Sequence, residues 1–158
     1  IVTDQSRLTK AFYSAALKSG ISDGEYVETI GVIATVIAID GFTRAIGLPQ
    51  FSLPDREPGE PSRHRPLGAK IDRAWVPTVS PEDVTEAEAS LYNGLAGANI
   101  HRALSLVPAE TTGFFNLDAV QYLPDAQLRD YGTEYRDLTH VQIELLAARV
   151  SALNQCVY

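Results

Sequence analysis

Seven of the nine prolines in this chain lie between Pro49 and Pro81. Proline fixes φ and removes a backbone donor, so a stretch this rich in it sustains neither a helix interior nor a central strand. The distribution predicts two blocks, residues 1–48 and 82–158, joined by a connector over 49–81. The connector mixes Pro58, Gly59, Pro61, Pro66 and Gly68 with Arg56, Glu57, Arg63, His64 and Arg65, and it shows no sustained periodicity. It reads as an extended strap ordered in part by Trp75 and Val76, with His64 an exposed side chain rather than a ligand.

The first block is helical by pattern. Leu8, Ala11, Phe12, Ala15 and Ala16 recur at three- and four-residue steps, predicting an amphipathic helix from Gln5 to Ser19 with Gly20 just past its end. Ser22 and Glu25 form an S-x-x-E capping box that opens a second helix, Asp23 to Ile46, which Gly47 and Pro49 stop. The middle of that helix is apolar on every side, so it reads as a buried central helix. Asp40 and Arg44 stand at i,i+4 with the acid first, the favourable order for an ion pair, and a structural pair is the simpler reading.

The second block repeats the pattern. Thr85 and Glu88 form a capping box before a short helix through Leu91 and Tyr92; Asn99 is placed to cap a helix through Leu106; Pro108 suits the first turn of a helix to Tyr122. Pro124 breaks the chain, and Ala126 to Tyr131 adds a short turn. Thr139 and Gln142 form a third box before a last helix, His140 to Leu153. No strand-like alternation persists and no Asn-Gly or Asp-Gly turn occurs, so the expected fold class is all-α.

The last helix concentrates the chemistry. At about 100° per residue, His140, Glu144 and Ser151 fall within roughly 40° of one another, with Gln142 and Arg149 opposite. Val141, Ile143, Leu145, Leu146, Val150 and Leu153 form two broad apolar faces between these stripes, as in a helix sandwiched between packing layers. A partly buried Glu144 suits proton handling, because burial favours the neutral carboxyl. The plainer reading is a solvated residue or a pair with His140. Cys156, the single cysteine, is twelve residues past Glu144. On one straight helix they would be about 18 Å apart and about 120° out of phase. A break at Asn154, with Asn154 capping a new helix, would instead put Cys156 in a first turn, where a thiolate is favoured. Taken alone, a lone Cys is otherwise an inert small hydrophobe.

Composition narrows the classes further. One cysteine forms no internal disulfide. Thirteen basic against twenty acidic residues give a net charge of −7, which opposes general phosphate-backbone binding. The longest apolar run, Ile30 to Ile39, is about half a bilayer span. The expectation is a soluble cytoplasmic protein with no nucleic-acid or membrane partner.

IELLAARVSALNQCVY resembles the segment leading into the redox motif of the alkylhydroperoxidase D-like, or carboxymuconolactone decarboxylase, family. In its peroxidase branch a Glu precedes the first Cys of a C-x-x-C by twelve residues, as Glu144 precedes Cys156. The second Cys would fall immediately after Tyr158, and a His four residues further on. ANIHRALSLVP also resembles the family, upstream of the Glu-bearing helix. SDGEYVETIGVIATVIAIDGFTRAIGLP resembles the part that follows the C-x-x-C. The resemblance implies a helical bundle in which the tail of one copy, the strap and the head of a second copy follow in order. It implies hydroperoxide reduction, with the second Cys attacking the peroxide, Cys156 resolving the sulfenic acid, and Glu144 in the proton relay. It further implies a small-molecule hydroperoxide as substrate, a thiol reductant or redox partner protein, homo-oligomerisation, and no cofactor or metal. A decarboxylase-branch member and a non-catalytic binding or assembly module stand as alternatives.

Overall fold

The computed structural model of this protein describes residues 4–92 and 98–156. The regular structure among those residues is helical, and their nearest approach to sheet is a single antiparallel bridge between Lys70 and Thr78. Among the described residues five α-helices are formed: α1 Lys10–Lys18, α2 Asp23–Ala45, α3 Asn99–Ala103, α4 Pro108–Gln121 and α5 His140–Leu153. The chain divides into two compact units, Ile1–Phe115 and Asn116–Tyr158.

Local chemistry explains most helix ends. α1 starts later than the apolar spacing predicts, because Thr9 is extended and its hydroxyl accepts from the Phe12 N–H at 3.2 Å. The residues before it form only a 3-10 turn, Gln5–Arg7. The Ser22/Glu25 box opens α2 as expected, each partner accepting the other's backbone N–H. Gly20 (φ 99°) and Gly47 (φ 74°) adopt the left-handed conformation that closes α1 and α2. In each case the next residue's N–H reaches back into the last turn, Ile21 to the Ala16 carbonyl and Leu48 to that of Thr43.

Three expected elements differ. Asn99 does not cap α3; Ala98 holds the N-cap position with no side-chain bond, and α3 ends at Ala103. The Thr85/Glu88 segment is a 3-10 helix, Glu86–Tyr92, kinked at Glu88. There the Glu88 carboxylate folds back onto Thr85 and also holds His64, which favours a bend over a regular turn. The Asp40–Arg44 pair is not formed among the described residues; an exposed pair gains too little to hold two long side chains.

In Ile1–Phe115 the core is Val27, Leu104 and Leu106, with Tyr26, Ile30, Val76, Val107 and Phe114 packed around it. The connector's second half is folded tightly rather than extended. Val79 and Ser80 are fully buried, and Arg102, 5% exposed, ties this segment down. One guanidinium nitrogen of Arg102 reaches Asp72, Thr78 and Ser80 at 2.9–3.3 Å. The Ser105 hydroxyl accepts from the Val79 N–H, and the Tyr92 hydroxyl donates to the Val79 carbonyl. Trp75 is 41% exposed and is not the anchor that the sequence points to.

α2 is not the buried central helix that its composition predicts. Only Val27, Gly31 and Thr43 are buried, while Val32, Ile37 and Phe42 face outward. It packs through a few residues: Val27 joins Leu104 and Leu106 in the core, the Tyr26 ring meets Tyr13 of α1 edge-on at 5.0 Å, and Glu110 sits against Gly31. By length and composition α2 could also cross a membrane, with a mean hydropathy of 1.4.

Candidate functional site

In Asn116–Tyr158 the polar stripe of α5 faces inward. Thr139 and Gln142 form the expected capping box, which fixes the start of α5 at His140. From there the inward side of the helix carries His140, Ile143, Glu144, Ala147 and Ser151. Val141, Leu145, Leu146, Val150 and Leu153 are exposed. The sandwiched helix of the sequence reading is therefore packed on one side only, and that side is the polar stripe.

His140 is 3% exposed and stacks on Tyr131, with ring centroids 4.6 Å apart. Its backbone N–H donates to the Glu134 carboxylate at 2.5 Å, a charge-assisted bond at a helix N-terminus. Its Nε2 stands 3.5 Å from Glu144 Oε1. That is too long for a hydrogen bond, so neither ring nitrogen has a hydrogen-bond partner among the described residues.

The strong contact to Glu144 comes from elsewhere. The Tyr122 hydroxyl, just beyond the end of α4, donates to Glu144 Oε1 at 2.5 Å. Burial, this bond and the adjacent negative charge together push the Tyr122 hydroxyl well above the ordinary phenol range. The Glu144 side chain is 39% exposed, half-buried as its stripe predicts. Oε1 faces both Tyr122 and His140, while Oε2 has no hydrogen-bond partner among the described residues.

Nearby, Asp130 accepts from the Tyr135 hydroxyl at 2.6 Å and from the Gly132 N–H, and its carboxyl lies below the usual range for that reason.

Cys156 is exposed and carries a free thiol. Asn154 does not start a new helix. It is the C-cap of α5 (φ −90°, ψ 7°), and its side-chain amide donates to the Val150 carbonyl. Gln155 follows at φ 53°, and the Gln155 and Cys156 N–H groups bond back to Ala152 and Ser151. This is the arrangement that Gly20 and Gly47 make, here with a non-glycine in the left-handed position. Cys156 thus sits in the C-terminal turn of α5 and not in the first turn of a new helix. Glu144 in the second turn and Cys156 beyond the end lie at opposite ends of α5, and the helix does not bring them together. Val157 and Tyr158, which complete the family-like segment, lie outside the described residues.

A second polar centre lies in Ile1–Phe115. His64 is not simply exposed: its Nε2 meets Glu88 Oε1 at 2.8 Å, while Thr85 binds the other oxygen. Glu88 is hidden from solvent beneath a thin cover, and these bonds hold its carboxyl below the usual range. With Arg65–Asp23 at 2.7 Å, this contact fastens the connector to the helical block, which is a structural task.

Sequence reasoning did not find Tyr122 or Tyr131. Tyr122 is separated from Glu144 by 22 residues, and no local pattern pairs them. Comparison with family models, curated proteins and solved structures finds no match to this chain.

Proposed function

We propose that this chain carries the proton-handling carboxylate and the resolving thiol of a thiol-dependent peroxidase. The observation that carries the reading is the inward carboxylate of Glu144. It is held by Tyr122 beside buried His140, twelve residues before Cys156. The family-like segment adds the expectation of a second cysteine directly after Tyr158.

In this reaction that second cysteine gives up its proton and attacks the peroxide. The O–O bond breaks, an alcohol leaves, and a sulfenic acid forms on sulfur. The Cys156 thiol then displaces water from the sulfenic acid to give a disulfide, which an external thiol reductant opens. Glu144 accepts and returns the protons. The family resemblance points to a small-molecule hydroperoxide as the substrate. A cytoplasmic location, where thiol reductants are plentiful, and a homo-oligomer belong to the same reading.

The test is hydroperoxide consumption coupled to thiol oxidation, measured on the protein translated beyond Tyr158. Cys156→Ser should halt turnover after one equivalent and leave a sulfenic acid that a dione reagent traps. Full multiple turnover in Cys156→Ser would reject the resolving role.

A second reading, a helical assembly module without catalysis, is favoured by the outward apolar residues of α2 and α5. Peroxide reduction separates the two, with light scattering beside it: an active chain, monomer or oligomer, supports catalysis, and an inactive oligomer supports assembly alone.

A further inference from the structure

Three groups converge on one carboxylate in Asn116–Tyr158, and their unequal distances carry an inference. Tyr122 donates to Glu144 Oε1 at 2.5 Å, whereas His140 Nε2 stays at 3.5 Å from the same atom. The tyrosine is itself well fixed. Its N–H continues the helical ladder to the Asp118 carbonyl at 2.7 Å. The next residue, Leu123, is 2% exposed, and Pro124 rigidifies the exit. A hydroxyl presented from so fixed a backbone removes the rotamer freedom that a half-exposed Glu would otherwise keep.

We infer that Tyr122 is a positioning residue: its hydroxyl pins Oε1 of Glu144 and leaves Oε2 as the oxygen that takes up and returns a proton. The inference rests on the peroxidase reading for what the proton is used for, but the contact itself does not. His140 then acts as packing for the pinned carboxylate, stacked on Tyr131 and out of hydrogen-bonding reach. The raised phenol value of Tyr122 accords with this, since a tyrosine held by a carboxylate gives up its own proton reluctantly.

The experiment uses Tyr122→Phe and Glu144→Gln in protein labelled with 13C at the tyrosine Cζ carbons. The signal missing from Tyr122→Phe should titrate late in alkali in the native chain and earlier in Glu144→Gln. In the peroxide assay, Tyr122→Phe should lower kcat about tenfold and leave KM within about twofold, because a misplaced acceptor slows transfer without altering substrate binding. An unchanged titration in Glu144→Gln would overturn the inference whatever the activity. So would a full kcat in Tyr122→Phe. A native protein that keeps the titration shift but never reduces peroxide would defeat the peroxidase reading and the positioning role, and leave the Tyr122–Glu144 contact standing.

Discussion

In Ile1–Phe115 the innermost positions are filled by Val27, Leu104 and Leu106, whereas in Asn116–Tyr158 the innermost position on α5 is His140, with Glu144 and Ser151 half-buried behind it. An apolar interior is non-directional and gains roughly in proportion to the area removed from water. A polar interior gains only where partners meet in the right geometry, and each unmet group is a penalty. The first unit ties Asp72, Thr78 and Ser80 to Arg102 and leaves its core to leucine and valine. The second keeps Leu123 buried but has turned the apolar residues of α5 out, and it depends on Tyr122, Tyr131 and Glu134 to hold the inward stripe. The comparison separates a scaffold from a candidate site.

The contrast is sharpest for leucine. Leu106 is 1% exposed and Leu145 is 68% exposed. Leu106→Ala should destabilise by about 3 kcal/mol in urea titrations, and Leu145→Ala by less than about 0.5 kcal/mol. Equal losses would break the comparison, because they would mean that the outer side of α5 is covered in solution. Next in size is the contact that seats Glu110 on α2. A Cβ at Gly31 would come within 2.9 Å of the Glu110 Cβ and 3.0 Å of its Cδ. Gly31→Ala should therefore cost about 1–2 kcal/mol despite the better helix propensity of alanine. In a Glu110→Ala background the same change should become neutral or stabilising; a cost that persists there would show that the clash is elsewhere.

A smaller effect probes the end of α5. Gln155 takes the left-handed position at φ 53° that Gly20 and Gly47 fill elsewhere. Gln155→Gly should raise the melting temperature slightly, by about 0.5–1 kcal/mol of stability. A loss would mean that the turn before Cys156 is not the one described. The smallest effect is electrostatic. Burial first, and the nearby Glu28 charge second, raise the Glu110 carboxyl above its ordinary value. The folded chain thus binds that proton more tightly than the unfolded chain. Ionising Glu110 weakens the fold increasingly as pH rises through and beyond the ordinary value of 4.5. Glu110→Gln should melt higher than the native chain at pH 7, and the gain should vanish below pH 4.5. A gain that persists in acid would assign it to packing instead.

Helix ends were the most legible part of the sequence. The Ser22/Glu25 and Thr139/Gln142 boxes, Gly20, Gly47 and Pro108 each act within a few residues, so reading them in order recovers α2, α4 and α5 almost to the residue. Burial was less legible. The all-round apolar surface of α2 predicts a central helix, but what covers a face depends on contacts distant in sequence. The same holds for Arg102, which looks like an ordinary helix cation and proves to anchor Thr78 and Ser80. Of the candidate site, Glu144 and its place on a polar stripe were legible from the 100° periodicity. Tyr122 was not, because nothing near it in the chain marks a partner 22 residues away. Asn154 misled because the same side chain that caps a helix start can also close a helix end.

The central claim is that the inward carboxylate of α5 handles protons for peroxide reduction. The most direct test is the turnover rate of Glu144→Gln in the protein translated beyond Tyr158, with organic hydroperoxide and excess dithiol. The account predicts a fall of about a hundredfold with the fold intact, the scale of a lost general base. Turnover equal to that of the native protein would contradict it.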